Sequence, residues 1–202
     1  MKNIMILLGL LVVVPITALA QEFEELDFVS PIKNDMIALE KNEKWAFINL
    51  EGELIVDFNE NLVAIKREGH NYPFFANDRC LIAQKSDGIS YFGYIDRTGK
   101  TIIKPQFLNA TTFNNNRAIA LELVKEEVGT NELLDKKVVY YKYFEVVIDL
   151  KGDILTYLTD PVYIVLDKKE FVVPPKIKSK FISNTMVAVR NKNKTWTLKK
   201  VE

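Results

Sequence analysis

His70 is the single imidazole and Cys80 the single thiol in a chain of 202 residues, so these two positions bound most of the chemistry open to it. General acid–base catalysis, nucleophilic triads and zinc sites each need several such groups within reach of one another. A Ser-His-Asp or Cys-His site would have to include His70, and no Gly-x-Ser-x-Gly elbow accompanies it. His70 lies in Glu68-Gly69-His70-Asn71-Tyr72-Pro73, where Gly69 and Pro73 bracket polar residues and predict an exposed turn. Cys80 lies in Arg79-Cys80-Leu81-Ile82-Ala83, an apolar strand-like run that predicts a buried, inert thiol. Asp149-Leu150-Lys151-Gly152-Asp153 has two carboxylates rather than the alternating oxygens of a calcium loop. Asp and Glu are plentiful, but no glycosidase-like pair stands out, and no Gly-rich phosphate loop is present. The expectation is therefore no catalytic residue, no metal and no cofactor.

Aromatic side chains are the remaining candidates for a binding site. Tyr72, Phe74 and Phe75 follow His70 in the predicted turn region, where exposed rings could stack on a sugar face or anchor a protein partner. Trp45, Phe92 and Trp196 precede or follow turns in strand-like segments and are expected to pack between neighbouring hairpins.

Those residues must be positioned by β-hairpins. Trp45 to Val56, Phe92 to Ile103 and Val146 to Leu155 share one pattern, with turns at Asn49-x-x-Gly52, Asp96-x-x-Gly99 and Asp149-x-x-Gly152. The short polar side chain caps its own turn, and Gly takes the left-handed backbone that a bulged hairpin requires. The three glycines recur about every fifty residues, as tandem units of about four short strands would. Met36–Leu39, Arg79–Ala83 and Phe113–Ala120 read as the strand preceding each hairpin. A fourth copy starts at Phe181–Val189 and reaches Lys194–Leu198, with no room for its turn. Val124–Lys137 is polar and predicts an exposed loop, Val138–Ile148 a core strand, and Val172-Val173-Pro174-Pro175 a break in pairing before the last unit.

Phe92-Gly93, Tyr94-Ile95-Asp96, Gly99 and Ile102-Ile103-Lys104-Pro105-Gln106-Phe107 together resemble the WG-repeat (KWG) family, and Lys44-Trp45-Ala46-Phe47-Ile48 resembles a second copy. Phe113 to Ala120 is similar to the family's Phe-x-x-Gly-x-Ala strand, with Asn116 in the Gly place. The Trp-Gly pair itself has become Trp45-Ala46, Phe92-Gly93 and Glu145-Val146. The resemblance implies an exported or envelope-associated bacterial protein whose repeats bind rather than catalyse, and it names no ligand.

Met1–Ala20 carries Lys2, an apolar run and Ala18-x-Ala20, the layout of a secretory signal peptide cleaved before Gln21. The apolar run is short for a bilayer span, and no stable transmembrane segment is expected after cleavage. With 27 Lys+Arg against 27 Asp+Glu, the formal net charge of zero argues against nucleic acid as a partner. The expected molecule is an exported, periplasmic or surface-located all-β protein of tandem antiparallel hairpins, an open stack or a partial barrel or propeller. Its units fall at about 30–75, 76–112 and 113–160, with a partial copy at 178–202, in a single domain after the leader. Its expected role is a non-catalytic binding or scaffold module of the bacterial cell envelope, with an envelope protein or a glycan as partner. A carbohydrate-binding or carbohydrate-active protein is the alternative.

Overall fold

The computed structural model describes residues 22–67, 69–131 and 136–201; the leader expected over Met1–Ala20 lies outside the described residues. The chain is all-β and antiparallel, and no closed barrel or propeller is formed among the described residues. A first sheet has the order β1 (Phe28–Val29), β2 (Met36–Lys41), β3 (Lys44–Asn49) and β4 (Leu54–Asn59). A small pair follows, β5 (Ile65–Arg67) with β6 (His70–Tyr72). The central sheet runs through β7 (Cys80–Ser86), β8 (Ile89–Ile95), β9 (Thr101–Ala110), β10 (Ala118–Asn131), β11 (Lys136–Ile148) and β12 (Ile154–Tyr157). Farther along β11, β13 (Val162–Ile164) pairs with it as well. The last sheet comprises β14 (Lys180–Ser183), β15 (Met186–Arg190) and β16 (Trp196–Lys200).

The predicted turns close three of these hairpins in one geometry. The Gly52, Gly99 and Gly152 N–H groups donate to the carbonyls of Asn49, Asp96 and Asp149 at 3.2, 3.0 and 3.0 Å, and all three glycines have φ between 81° and 91°. The Asn49 Oδ1 accepts the Glu53 N–H at 2.8 Å. Asp96 Oδ1 accepts from Thr98 and Lys100, and Asp149 Oδ1 from Lys151 and Asp153. The Thr98 hydroxyl and these N–H groups hold the Asp96 carboxyl below its ordinary range, because they solvate only its charged form. The fourth copy does possess its turn, contrary to expectation. Asn191 N–H donates to Thr195 at 2.9 Å, Lys194 N–H donates to Asn191 at 3.1 Å, and Lys194 takes φ 67° where the others have Gly.

A second turn recurs upstream of the hairpins. Asn34-Asp35, Asn77-Asp78 and Asn115-Asn116 each have two consecutive positive φ values, the geometry of a two-residue hairpin turn that Asn and Asp tolerate. Lys33 and Met36, Ala76 and Arg79, and Asn114 and Arg117 exchange backbone hydrogen bonds around them. The expectation that Asn116 serves in a Gly place agrees with its φ of 62°.

Of the predicted loop Val124–Lys137, residues Val124–Asn131 and Lys136–Lys137 are strand, and 132–135 lie outside the described residues. β10 and β11 stay paired from Ala118↔Ile148 to Asn131↔Lys136, with one bulge between Glu127 and Gly129. An antiparallel ribbon can hold polar residues on both faces where it runs past the core, because its backbone groups satisfy each other. The central sheet also joins what the sequence divides at 112, because β9 pairs β8 and then β10. Pro105 lies within β9, where it lacks a ladder donor, and the neighbouring strand closes on it at Gly93. A Cβ on Gly93 would stand 2.3 Å from the Ile103 carbonyl oxygen and 2.6 Å from the Pro105 nitrogen.

Strand alternation distributes the core into successive interfaces. Trp45 and Phe47 of β3 pack with Cys80, Ile82 and Ile95 of the central sheet. Phe92 and Tyr94 of β8 pack with Ala118, Ala120, Val146 and Ile148. Ile119 and Val147 face the other way and meet Val187 and Val189 of the last sheet. Trp45 and Phe92 are thus core residues as expected. Trp196 is not, being 47% exposed. Counted from their turns, Val187 and Val189 occupy the places of Trp45 and Phe47, so the last sheet packs against β10 and β11 with that face, and Trp196 and Leu198, paired with Arg190 and Ala188, point outward. Arg117 ties the last sheet down, donating to the Asn184 carbonyl at 2.7 Å and to that of Val201 at 3.2 Å.

Gly93→Ala should destabilise by about 3 kcal/mol, since its Cβ meets backbone rather than a movable side chain. Gly52→Ala, with open space but positive φ, should lose about 1 kcal/mol. Urea unfolding of the two variants checks the order; equal losses would contradict the close approach of β8 and β9.

Candidate functional site

The aromatic segment after His70 is placed inside the molecule. Tyr72, Phe74 and Phe75 are 2%, 8% and 0% exposed, which overturns the expected surface platform. Phe75 packs on Phe47 with ring centroids 4.7 Å apart, and Phe28 stacks over Tyr72 at 6.2 Å. These rings fill the space between the first sheet and β7, where burying three aromatics outweighs the polar look of the turn before them. His70 is exposed, at the start of β6 rather than in a loop, with its ring 5.5 Å from Phe28. Cys80 is buried as expected, and desolvation pushes its thiol far above the ordinary range, so no thiolate is available for nucleophilic work.

A groove of about 230 Å³ opens instead where β11 and the segment after β12 meet the strand β15 and the residues before β14. Five cations line it: Lys176, Lys178, Arg190, Lys192 and Lys199. Two acids share the lining, Glu145 and Asp160. Glu145 is 5% exposed and stands in the turn-relative place of Trp45 and Phe92. Its carboxylate oxygens accept the Lys178 and Ser179 N–H groups, both at 2.9 Å. Its own N–H donates to Thr159 Oγ1 at 3.0 Å, and its carbonyl accepts the Leu158 N–H at 2.8 Å.

That arrangement assigns Glu145 to anchoring. A buried carboxyl holding two backbone donors is satisfied, and it fixes the Lys176–Ser179 segment along the rim. None of the five cations forms an ion pair among the described residues. The Arg190 guanidinium lies over the Trp196 ring, 4.7 Å from its centroid, at the edge of the groove. Thr159, Asn191 and Thr197 add neutral donors and acceptors along the same wall. A concave wall on which five cations outnumber two acids carries an excess of positive charge, which raises the local density of anionic ligand.

The signal for this site was present but hidden in the sum. Residues 176–201 contain eight Lys or Arg and no acid, whereas residues 22–60 contain eleven acids and three Lys. The two blocks cancel, which is why a net charge of zero says nothing about the surface of either end.

Exposed aromatics also exist, but elsewhere. Tyr140, Lys142 and Phe144 share one face of β11, with Tyr163 opposite Lys142. Tyr157 meets Phe144 edge-on at 5.1 Å, and the Lys142 Nζ lies 6.0 Å from the centroids of both Phe144 and Tyr163. Tyr140, Tyr157 and Tyr163 are 54%, 49% and 66% exposed. Tyr143 and Glu145, on the opposite face, line the groove. Among the described residues, no three His, Cys, Asp or Glu side chains gather as metal ligands would, and no helix is long and apolar enough to cross a membrane.

Glu145→Ala would strand two backbone N–H groups and should destabilise by about 3 kcal/mol, while accelerating amide exchange at Lys178 and Ser179. Glu145→Gln keeps one acceptor oxygen and should lose less. A neutral Glu145→Ala would free this carboxylate from the anchoring role.

No curated protein and no solved structure matches the chain. Residues 92–122, from the Phe92-Gly93 pair through the Asp96–Gly99 turn and β9 to Glu122 in β10, match the family model of the WG containing repeat.

Proposed function

We propose that this chain is an exported, non-catalytic binding module of the bacterial cell envelope, and that it holds an anionic ligand in the groove beside Glu145. The observation that carries this reading is the set of five cations around one concavity, none with an ion-pair partner among the described residues. Glu145 and Asp160 offset only part of that charge, and the excess is stabilised by a ligand that brings several negative charges at once. Glu145 is committed to backbone donors and leaves the groove without a free buried carboxylate pair, which favours binding over turnover. The Lys2, apolar and Ala18-x-Ala20 layout of the first twenty residues supports export.

Carbohydrate binding is the second reading, supported by the row in which exposed Tyr157 and Tyr163 flank half-buried Phe144 and Lys142. Exposed rings on a sheet face suit the apolar faces of sugars. An acidic glycan would satisfy either surface, so the two are separated by variants.

Calorimetric titration with polygalacturonate and with a neutral glucan tests both. The groove reading expects saturable polygalacturonate binding, weakened by salt, and reduced about tenfold or more by Lys178→Glu with Lys199→Glu, a loss of about 1.4 kcal/mol. Binding of the neutral glucan that Tyr163→Ala abolishes would transfer the function to the aromatic row. Turnover of either polymer, abolished by one Asp or Glu substitution, would contradict the non-catalytic assignment.

A further inference from the structure

The last sheet has two faces, and one of them packs on the core. Val187 and Val189 turn inward, while Ala188 and Arg190 with their partners Leu198 and Trp196 turn outward. This outer face carries Trp196 at 47%, Leu198 at 59% and, on β14, Ile182 at 55% exposure. The Lys180 ammonium lies 5.2 Å from the Trp196 centroid, with Arg190 also over that ring, so the patch is apolar at its centre and cationic at its margins. Its outermost strand, β16, has a single strand partner among the described residues, β15.

The opposite end of the chain presents the complement. Val29 and Ile32 beside β1 are 53% and 63% exposed. Glu22, Glu24, Glu25 and Asp27 precede that strand, in the block of eleven acids and three Lys that spans residues 22–60. β1 is likewise an edge, paired only with β2. Each end would repel its own kind, whereas unlike ends attract, and both have apolar residues to bury once they meet.

We propose that the chain associates head to tail with a second copy of itself, the acidic first sheet of one copy docking on the Trp196 face of the next. The contact is heterologous: each copy retains a free acidic end and a free basic end, so the assembly extends by addition rather than stopping at a dimer. The groove opens on the other face of the last sheet, beside Thr197 and Lys199, and Arg190 at the sheet's end is shared by the two surfaces.

Sedimentation velocity on protein purified from cells expressing the full chain tests this, at about 20 mM and about 500 mM NaCl, where the screening length differs severalfold. At low salt the average mass should climb with concentration past that of a dimer, and at high salt it should return to the monomer. Trp196→Ala with Leu198→Ala removes the tail surface, and Glu22, Glu24 and Glu25→Lys reverses the head. Each variant alone should be monomeric at low salt, and an equimolar mixture should form a one-to-one dimer, because one supplies the intact head and the other the intact tail. Circular dichroism and unfolding midpoints unchanged from the parent confirm that the variants are folded. A parent that stays monomeric at low salt overturns the proposal. So does a dimer that persists in the head-reversed variant, which would place two tails against each other, or monomers that bind polygalacturonate through Trp196.

Discussion

The structure depends on one local constraint, a turn in which an Asn or Asp side-chain oxygen holds backbone N–H groups while the fourth residue turns left-handed. At Asn49, Asp96 and Asp149 the oxygen accepts the N–H four residues on, and Gly supplies the positive φ. That closes the hairpin in a single register. A slip of one residue would send every side chain of the strand to the other face of its sheet. Because the turn prevents the slip, residues four and two places before it point consistently to one neighbour, and the sheets can stack with buried contacts between them.

Given that frame, the residue four places before the turn determines what each interface does. Trp45 and Phe92 make apolar contacts, and these two interfaces are filled by rings. Glu145 in the same place cannot be buried without partners, and it takes two backbone N–H groups from the chain entering the last sheet. The fourth place holds Val187, whose face turns back onto Ile119 and Val147. One substitution in a repeated position thereby converts a packing contact into a tether, and the tethered segment brings Lys176 and Lys178 to the same rim as Arg190, Lys192 and Lys199.

Much of the fold was legible because its determinants are local. The Asx-x-x-Gly turns, the Asn116 position and the burial of Trp45, Phe92 and Cys80 follow from residue type and immediate neighbours. The misreadings share a cause, which is that nonlocal partners outvoted local appearance. Tyr72, Phe74 and Phe75 looked exposed beside Gly69 and Pro73, but the first sheet covers them. Val124–Asn131 looked like a loop by polarity, although its backbone finds a full partner in β11. The fourth turn was hidden because Lys194 stands where Gly is usual, and Trp196 lost its expected core position when the last sheet turned over. The groove was illegible from net charge, since summing over the chain cancels an acidic block against a basic one far from it in sequence.

The cationic groove beside Glu145 is the proposed ligand site. The most direct test is amide-resolved chemical-shift mapping with an oligogalacturonate at moderate salt. Binding in the groove should give saturable shifts clustered at Lys176–Ser179, Arg190–Lys192 and Thr197–Lys199, with little change across Tyr140–Phe144 or at Tyr72–Phe75. Shifts confined to the Tyr140–Phe144 and Tyr157–Tyr163 row, with the groove amides unmoved, would contradict it.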